Sequence, residues 1–142
     1  MVRAAEAART VQQKGIRTMK KAGTVLVYNC SGPKFAKMHQ IFAMLRLLMR
    51  NVTPDKYNLT LKELELGQGE PGEAQTPIPE SMLVFCNVNE ALLQQVLEVL
   101  RLSKLPPIGL KAVMTETNQD WTTMQLYDEL CKERDELAAQ DK

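Results

Sequence analysis

The sequence predicts a small α/β domain: a mainly parallel four-stranded sheet with helices on both faces. Three observations carry this expectation. A unit of short apolar strand, polar turn and amphipathic helix occurs twice. It appears first at Val25–Cys30, followed by a helix carrying Phe35, Met38, Ile41, Phe42, Leu45 and Leu48, and again at Met82–Asn87, followed by Leu92, Leu93, Val96, Leu97 and Leu100. The strands are nearly continuous apolar runs, the pattern of strands covered on both faces, and 142 residues suit a single core. A ferredoxin-like split βαβ sandwich with an added C-terminal helix is the alternative, because a doubled βαβ unit also builds that fold.

Residues 1–22 form a basic leader. Up to Lys21 it carries six basic side chains against Glu6 alone, a net of +5, so the remainder holds −4 of the overall +1. It has no periodic apolar face and is expected to be disordered; residues 23–142 then make one α/β domain. After the first strand, Asn29-Cys30-Ser31-Gly32-Pro33 makes a turn, and Pro33 suits a first helical position. The helix is expected to run to about Arg50, before an extended Val52-Thr53 and a break at Pro54-Asp55. Leu59–Leu66 fits a short helix and an edge strand equally. Gly67–Glu80 is rich in Gly and Pro, lacks aromatics, and reads as a flexible loop at 67–80 with nothing to bury.

The second unit starts at Met82. Asn89 is placed as an N-cap, with Val88 and Leu93 as a hydrophobic staple, and its helix ends near Ser103, before Pro106-Pro107. Leu110–Met114 reads as a fourth strand. Asn118 or Asp120 is expected to cap a last helix with Trp121, Leu126, Tyr127, Leu130 and Leu137 as apolar positions. In the parallel arrangement the strands at 25–28 and 82–85 are neighbours pointing the same way. That would bring Cys30 and Cys86 to one edge, within about 12 Å at a ~4.8 Å strand spacing.

The chemistry is sparser than the architecture. Apolar residues make 44% of the chain and charged residues 25%, an ordinary globular balance. A mildly acidic body has no general attraction for phosphate backbones, which disfavours nucleic acid as a partner. No apolar run reaches the ~18–20 residues of a membrane span. Three widely spaced cysteines point to reduced thiols and a cytoplasmic setting. With one histidine, His39, and no CxxC, no metal site is expected. Neither GxGxxG nor GxxxxGKS/T follows a strand, so the Ser31-Gly32-Pro33 turn is a poor phosphate cradle and no cofactor is implied.

Cys30 and Cys86 are thiol candidates at strand ends, where open α/β sheets place ligands. A nucleophilic thiol needs a base, and His39 lies about two turns into a helix, so filling of strand ends by small apolar groups is the stronger reading. Met38, Met44 and Met49 read as core packing with a remainder free to meet a second subunit. The most distinctive string runs from Lys111 to Trp121. It offers a pocket rim in which Lys111 supplies charge, Thr115 and Asn118 hydrogen bonds, and Trp121 a stacking wall for a small anionic ligand. Helix capping and packing account for every residue of that string but Lys111.

The segment Met82-Leu83-Val84-Phe85-Cys86, the string Leu110-Lys111-Ala112-Val113 with Thr115, Thr117-Asn118 and Trp121, and Leu126-Tyr127-Asp128-Glu129-Leu130 together resemble a small bacterial family known only as a domain of unknown function. The resemblance covers about residues 82–136. Relatives carry a glycine after the strand cysteine, where this chain has Asn87. The resemblance implies a bacterial, cytoplasmic protein and brings no functional residue with it. The reading that follows is a non-catalytic interaction or regulatory module, with a protein partner or as a homodimer. A small-ligand or anion-binding protein using the Lys111–Trp121 rim is the alternative, and a thiol enzyme stands last.

Overall fold

The elements follow one another as β1 (Gly23–Tyr28), α1 (Ala36–Met44), β2 (Leu47–Asn51), α2 (Leu61–Leu66), β3 (Met82–Cys86), α3 (Glu90–Leu102), β4 (Leu110–Val113) and α4 (Thr123–Gln140). The structure, a computed structural model, describes residues 23–140 other than Ser31 and Pro107, so the basic leader at 1–22 lies outside the described residues. The strands form a four-stranded sheet in the order β2-β1-β3-β4. β1 and β2 pair in parallel, as do β3 and β4, while the central β1–β3 pair is antiparallel. The expected mainly parallel α/β sheet is present, with its centre reversed.

That reversal overturns the expected meeting of the two thiols. Thr24 faces Cys86 and Tyr28 faces Met82, so Cys30 and Cys86 lie toward opposite ends of the sheet, roughly 20 Å apart at ~3.4 Å per residue. The physical reason is the connection. Each helical crossover joins two parallel strands within its own unit, whereas β1 and β3 are linked through β2, α2 and a long loop, which leaves their relative direction unconstrained.

Side-chain alternation sorts the core into two layers. Val25, Val27, Leu83 and Phe85 face α1 and α3, packing with Met38, Phe42 and Val96. Leu26, Tyr28, Met82, Val84 and Cys86 face α2 and α4, packing with Leu61, Leu64 and Leu126. Both central strands are therefore buried on both faces, which is why they read as unbroken apolar runs.

The doubling seen in the sequence extends through a whole βαβα unit. β1-α1-β2-α2 and β3-α3-β4-α4 are related by an approximate twofold axis normal to the sheet, passing beside the Leu26–Val84 pair. Local details repeat under it. Asn29 and Asn87 follow their strands with φ of 56° and 59°, a left-handed conformation that asparagine tolerates better than most residues. Asn87 thus makes a tight turn without a glycine. Leu59 N donates to Lys56 O, and Trp121 N to Asn118 O, at equivalent places. Thr60 and Thr122 face each other in an antiparallel bridge next to the axis, where Leu61 N also donates to Trp121 O.

The same repeat explains both helix starts. Thr60 and Glu63 form a capping box, with Glu63 Oε1 accepting from Thr60 N at 2.9 Å. Gln125 Oε1 accepts from Thr122 N at 2.8 Å. This makes Leu61–Leu66 a helix and moves the start of α4 away from Asn118 and Asp120, the expected caps. α3 begins as expected, Asn89 Oδ1 accepting from Leu92 N at 2.8 Å.

Two further expectations change. α1 stops at Met44, and Leu47–Asn51 is a strand beside β1, not the end of a helix reaching Arg50. Arg46 turns the chain with φ of 63°, and burial of Leu47 beside β1 overrides the helical preference of its leucines. The connection at 67–80 does bury something: Ile78 is 2% exposed, and its N–H donates to Tyr57 Oη at 3.3 Å. Gly72 N also donates to Asp55 O at 2.8 Å, so the connection is tied at its middle as well.

Candidate functional site

Besides the length of the second helix, six residues in α2 against eighteen in α4, the two halves differ where the first helix of each unit returns to the outer strand. In the first half α1 has nine residues and only Leu45-Arg46 separate it from β2. In the second, α3 has thirteen residues, and residues 103–109 make a wider path back to β4. The longer helix and wider path leave a cavity of about 650 Å³ between α3, residues 103–109 and the β4 side of the sheet. Phe85 lies on its sheet side, and Leu93, Leu97, Leu100, Leu105 and Ile108 supply most of its apolar lining. Among the described residues its cations are Arg101 and Lys111, and no carboxylate lines it.

The cations are held differently. Arg101 is engaged by Glu98 one turn back, its Nε and Nη2 donating to the two carboxylate oxygens at 3.2 and 2.6 Å. That pairing holds the Glu98 carboxyl below its ordinary range. Lys111 pairs in register with Leu83, which places it on the α1/α3 side of the sheet. Its ammonium donates to Ile108 O at 3.1 Å, leaving further protons for a ligand.

The sequence-derived rim is divided by this geometry. Lys111, Thr115, Asn118 and Trp121 all touch a second hollow of about 340 Å³ along the outside of β4, which Glu129 and Glu133 of α4 also line. Yet Trp121 packs on the α2/α4 face, opposite to the face that Lys111 takes. A strand side chain alternates, and residues ten apart in sequence need not share a face across the intervening turn. Thr115 and Asn118 bind each other: Asn118 Oδ1 accepts from Thr115 N at 2.7 Å and Thr115 Oγ1 accepts from Asn118 N at 3.2 Å. Asn118 Nδ2 donates to Val113 O at 3.1 Å, fastening the turn to the end of β4. Of the four, only Lys111, an exposed residue, lines the larger cavity as well.

The thiols are poorly placed for chemistry. Burial pushes the Cys86 thiol up to about 12, with the Glu65 carboxylate adding to the effect, and its Sγ lies 4.0 Å from Val84 O. The half-buried Cys30 thiol is also raised, chiefly by burial and against hydrogen bonding from Ser81. Both therefore stay protonated where a nucleophile would need to ionise. His39 is exposed on α1. Among the described residues no group of three His, Cys, Asp or Glu side chains could hold a metal ion, and no helix is long and apolar enough to cross a membrane.

The groove-forming residues Leu100, Arg101, Leu105 and Ile108 were not among the sequence candidates. Their signal was present: Leu102, Leu105 and Ile108 put large apolar groups at and beyond the end of a helix, where a solvent-exposed connection is normally polar.

Comparison with curated proteins and with solved structures finds no match. The family model described as Domain of unknown function (DUF3783) matches residues 81–137, a stretch that begins just before β3 and ends within α4. The match falls on the second βαβα unit and agrees in extent with the resemblance of residues 82–136.

Proposed function

We propose that this protein is a non-catalytic binding module whose site is the groove between α3 and β4. One observation carries the reading: a cavity of about 650 Å³ with apolar walls opens in one half of a pseudo-symmetric molecule. Ligand sites commonly enclose roughly 300–1,000 Å³ and are lined mainly by apolar groups with a few placed polar ones. The raised thiols and the exposed His39 supply no activated nucleophile and base, which favours binding over catalysis. Three free cysteines support a reducing, cytoplasmic setting.

A neutral solvatochromic dye, Nile red, tests the reading. It should bind the native protein with one-to-one stoichiometry and shift to the blue. Leu100→Glu should abolish the signal, while Met44→Glu, at an 80% exposed position in the other half, should leave it unchanged. Equal dye uptake by both variants would refute the groove as the site. A protein-docking surface is the second reading, favoured by Leu102 and Val113, exposed at 66% and 38%. It predicts concentration-dependent association in sedimentation that Leu102→Glu removes.

A further inference from the structure

We infer that the ligand of this groove is an amphipathic anion: a single aliphatic chain ending in a carboxylate or similarly charged head. The inference rests on the groove being the binding site and adds the chemistry of its occupant. Its apolar walls are long-chain leucines and an isoleucine, with Phe85 toward the sheet, a surface that rewards removal of methylenes from water. The only charges among the lining residues are Arg101 and Lys111, both positive. The neighbouring hollow outside β4 is the contrast, since Glu129 and Glu133 line it together with Lys111.

The cations have distinct parts. Arg101 already satisfies Glu98 through two hydrogen bonds, so its charge is largely neutralised locally. Lys111 has no carboxylate partner among its described hydrogen bonds and rests on the carbonyl of Ile108. A carbonyl orients an ammonium without neutralising it, and the remaining N–H groups can reach a head group at the groove mouth. The tail then lies along Leu97, Leu100 and Leu105. A cationic amphiphile would bring like charge to Lys111, and a neutral one would gain nothing from that exposed charge.

Titration calorimetry of the full chain with decanoate, 1-decanol and decyltrimethylammonium, each below its aggregation threshold, tests this. Decanoate should bind at least tenfold more tightly than either of the others. In Lys111→Met that preference over 1-decanol should fall to threefold or less, with 1-decanol binding unchanged, which also shows that the variant is folded. Equal binding of decanoate and 1-decanol by the native protein would overturn the anionic head while leaving the groove intact. A preference that survives in Lys111→Met would place the head elsewhere and overturn the assignment. If none of the three binds, the groove reading fails together with the inference.

Discussion

The first βαβα half ties α1 to β2 through Leu45-Arg46, where Met44, Leu45 and Arg46 border a hollow of about 460 Å³ shared with α3, whereas the second half lengthens the helix and the return path and opens a larger apolar groove of about 650 Å³. The halves agree in strand pairing, in the asparagine turns after β1 and β3, and in the threonines facing each other beside the axis. Their agreement marks what the fold requires. Their disagreement at the α3–β4 corner marks where the second half is free to do something else. The contrast also bears on the hollows outside β2 and β4: these occupy equivalent positions, with Met49, Lys56 and Leu59 lining one where Lys111, Asn118 and Trp121 line the other. A feature present in both halves follows from the architecture, so the larger, mainly apolar groove of the second half is the better candidate for a site.

The largest expected effects test whether the halves form one body. Leu64 and Leu126 occupy equivalent buried positions in α2 and α4. Leu64→Ala and Leu126→Ala should each cost about 2–5 kcal/mol in denaturant unfolding, in a single transition monitored by both fluorescence and circular dichroism. Two separated transitions would mean that the halves fold independently and that their shared sheet does not couple them.

A smaller effect separates the halves. Thr123, fully buried, donates its hydroxyl to Tyr28 Oη at 3.0 Å, where the first half has the apolar Leu61. Thr123→Ala should cost about 1–3 kcal/mol, because the Tyr28 oxygen loses its donor in a buried place. Adding Tyr28→Phe should return part of that loss, measured as a double-mutant cycle. A strictly additive cycle would show that the two groups do not interact.

How much of this was legible in the sequence follows from the same contrasts. The central strands, α3 and its Asn89 cap were readable because burial on both faces gives an apolar run and a capped helix carries its own start signal. β2 was not. Its leucines and methionine favour a helix in isolation, and the turn before it uses Arg46 at positive φ where a glycine would have announced the break. The capping pattern Thr60-x-x-Glu63 was visible and would have settled α2. The antiparallel centre was hidden, because apolar periodicity says which faces are buried and not which way a neighbour runs. The groove was hidden for a related reason: an apolar helix face looks the same whether protein or ligand covers it. Lys111 stood out as the residue that packing did not explain, and strand alternation separates its charge from Trp121.

The helix starts should show a loss of about 1 kcal/mol each. Thr60→Ala removes the acceptor for Glu63 N, and Thr122→Ala removes the hydroxyl that donates to Gln125. Similar losses in thermal melts would support the equivalence of α2 and α4; a loss at one site alone would break it. The smallest effect is electrostatic. The Cys86 thiol is raised from its ordinary 9.0 to about 12, so the unfolded chain ionises first as pH rises. Stability from this group is intact well below pH 9, has fallen by about 0.4 kcal/mol at pH 9, where the unfolded thiol is half ionised, and goes on falling toward pH 12. Cys86→Ala should flatten that part of the stability profile. An unchanged slope would show that the folded thiol ionises as readily as the unfolded one.

The asymmetry between the halves is tested most directly by methyl-selective NMR of the full chain titrated with a neutral apolar probe, 1-octanol. Saturating shifts are expected at Leu93, Leu97, Leu100, Leu105, Ile108 and Val113, with Ile41 and Leu45 at the matching corner of the first half unmoved. Shifts of equal size at both corners, or confined to the α1 side, would contradict the account.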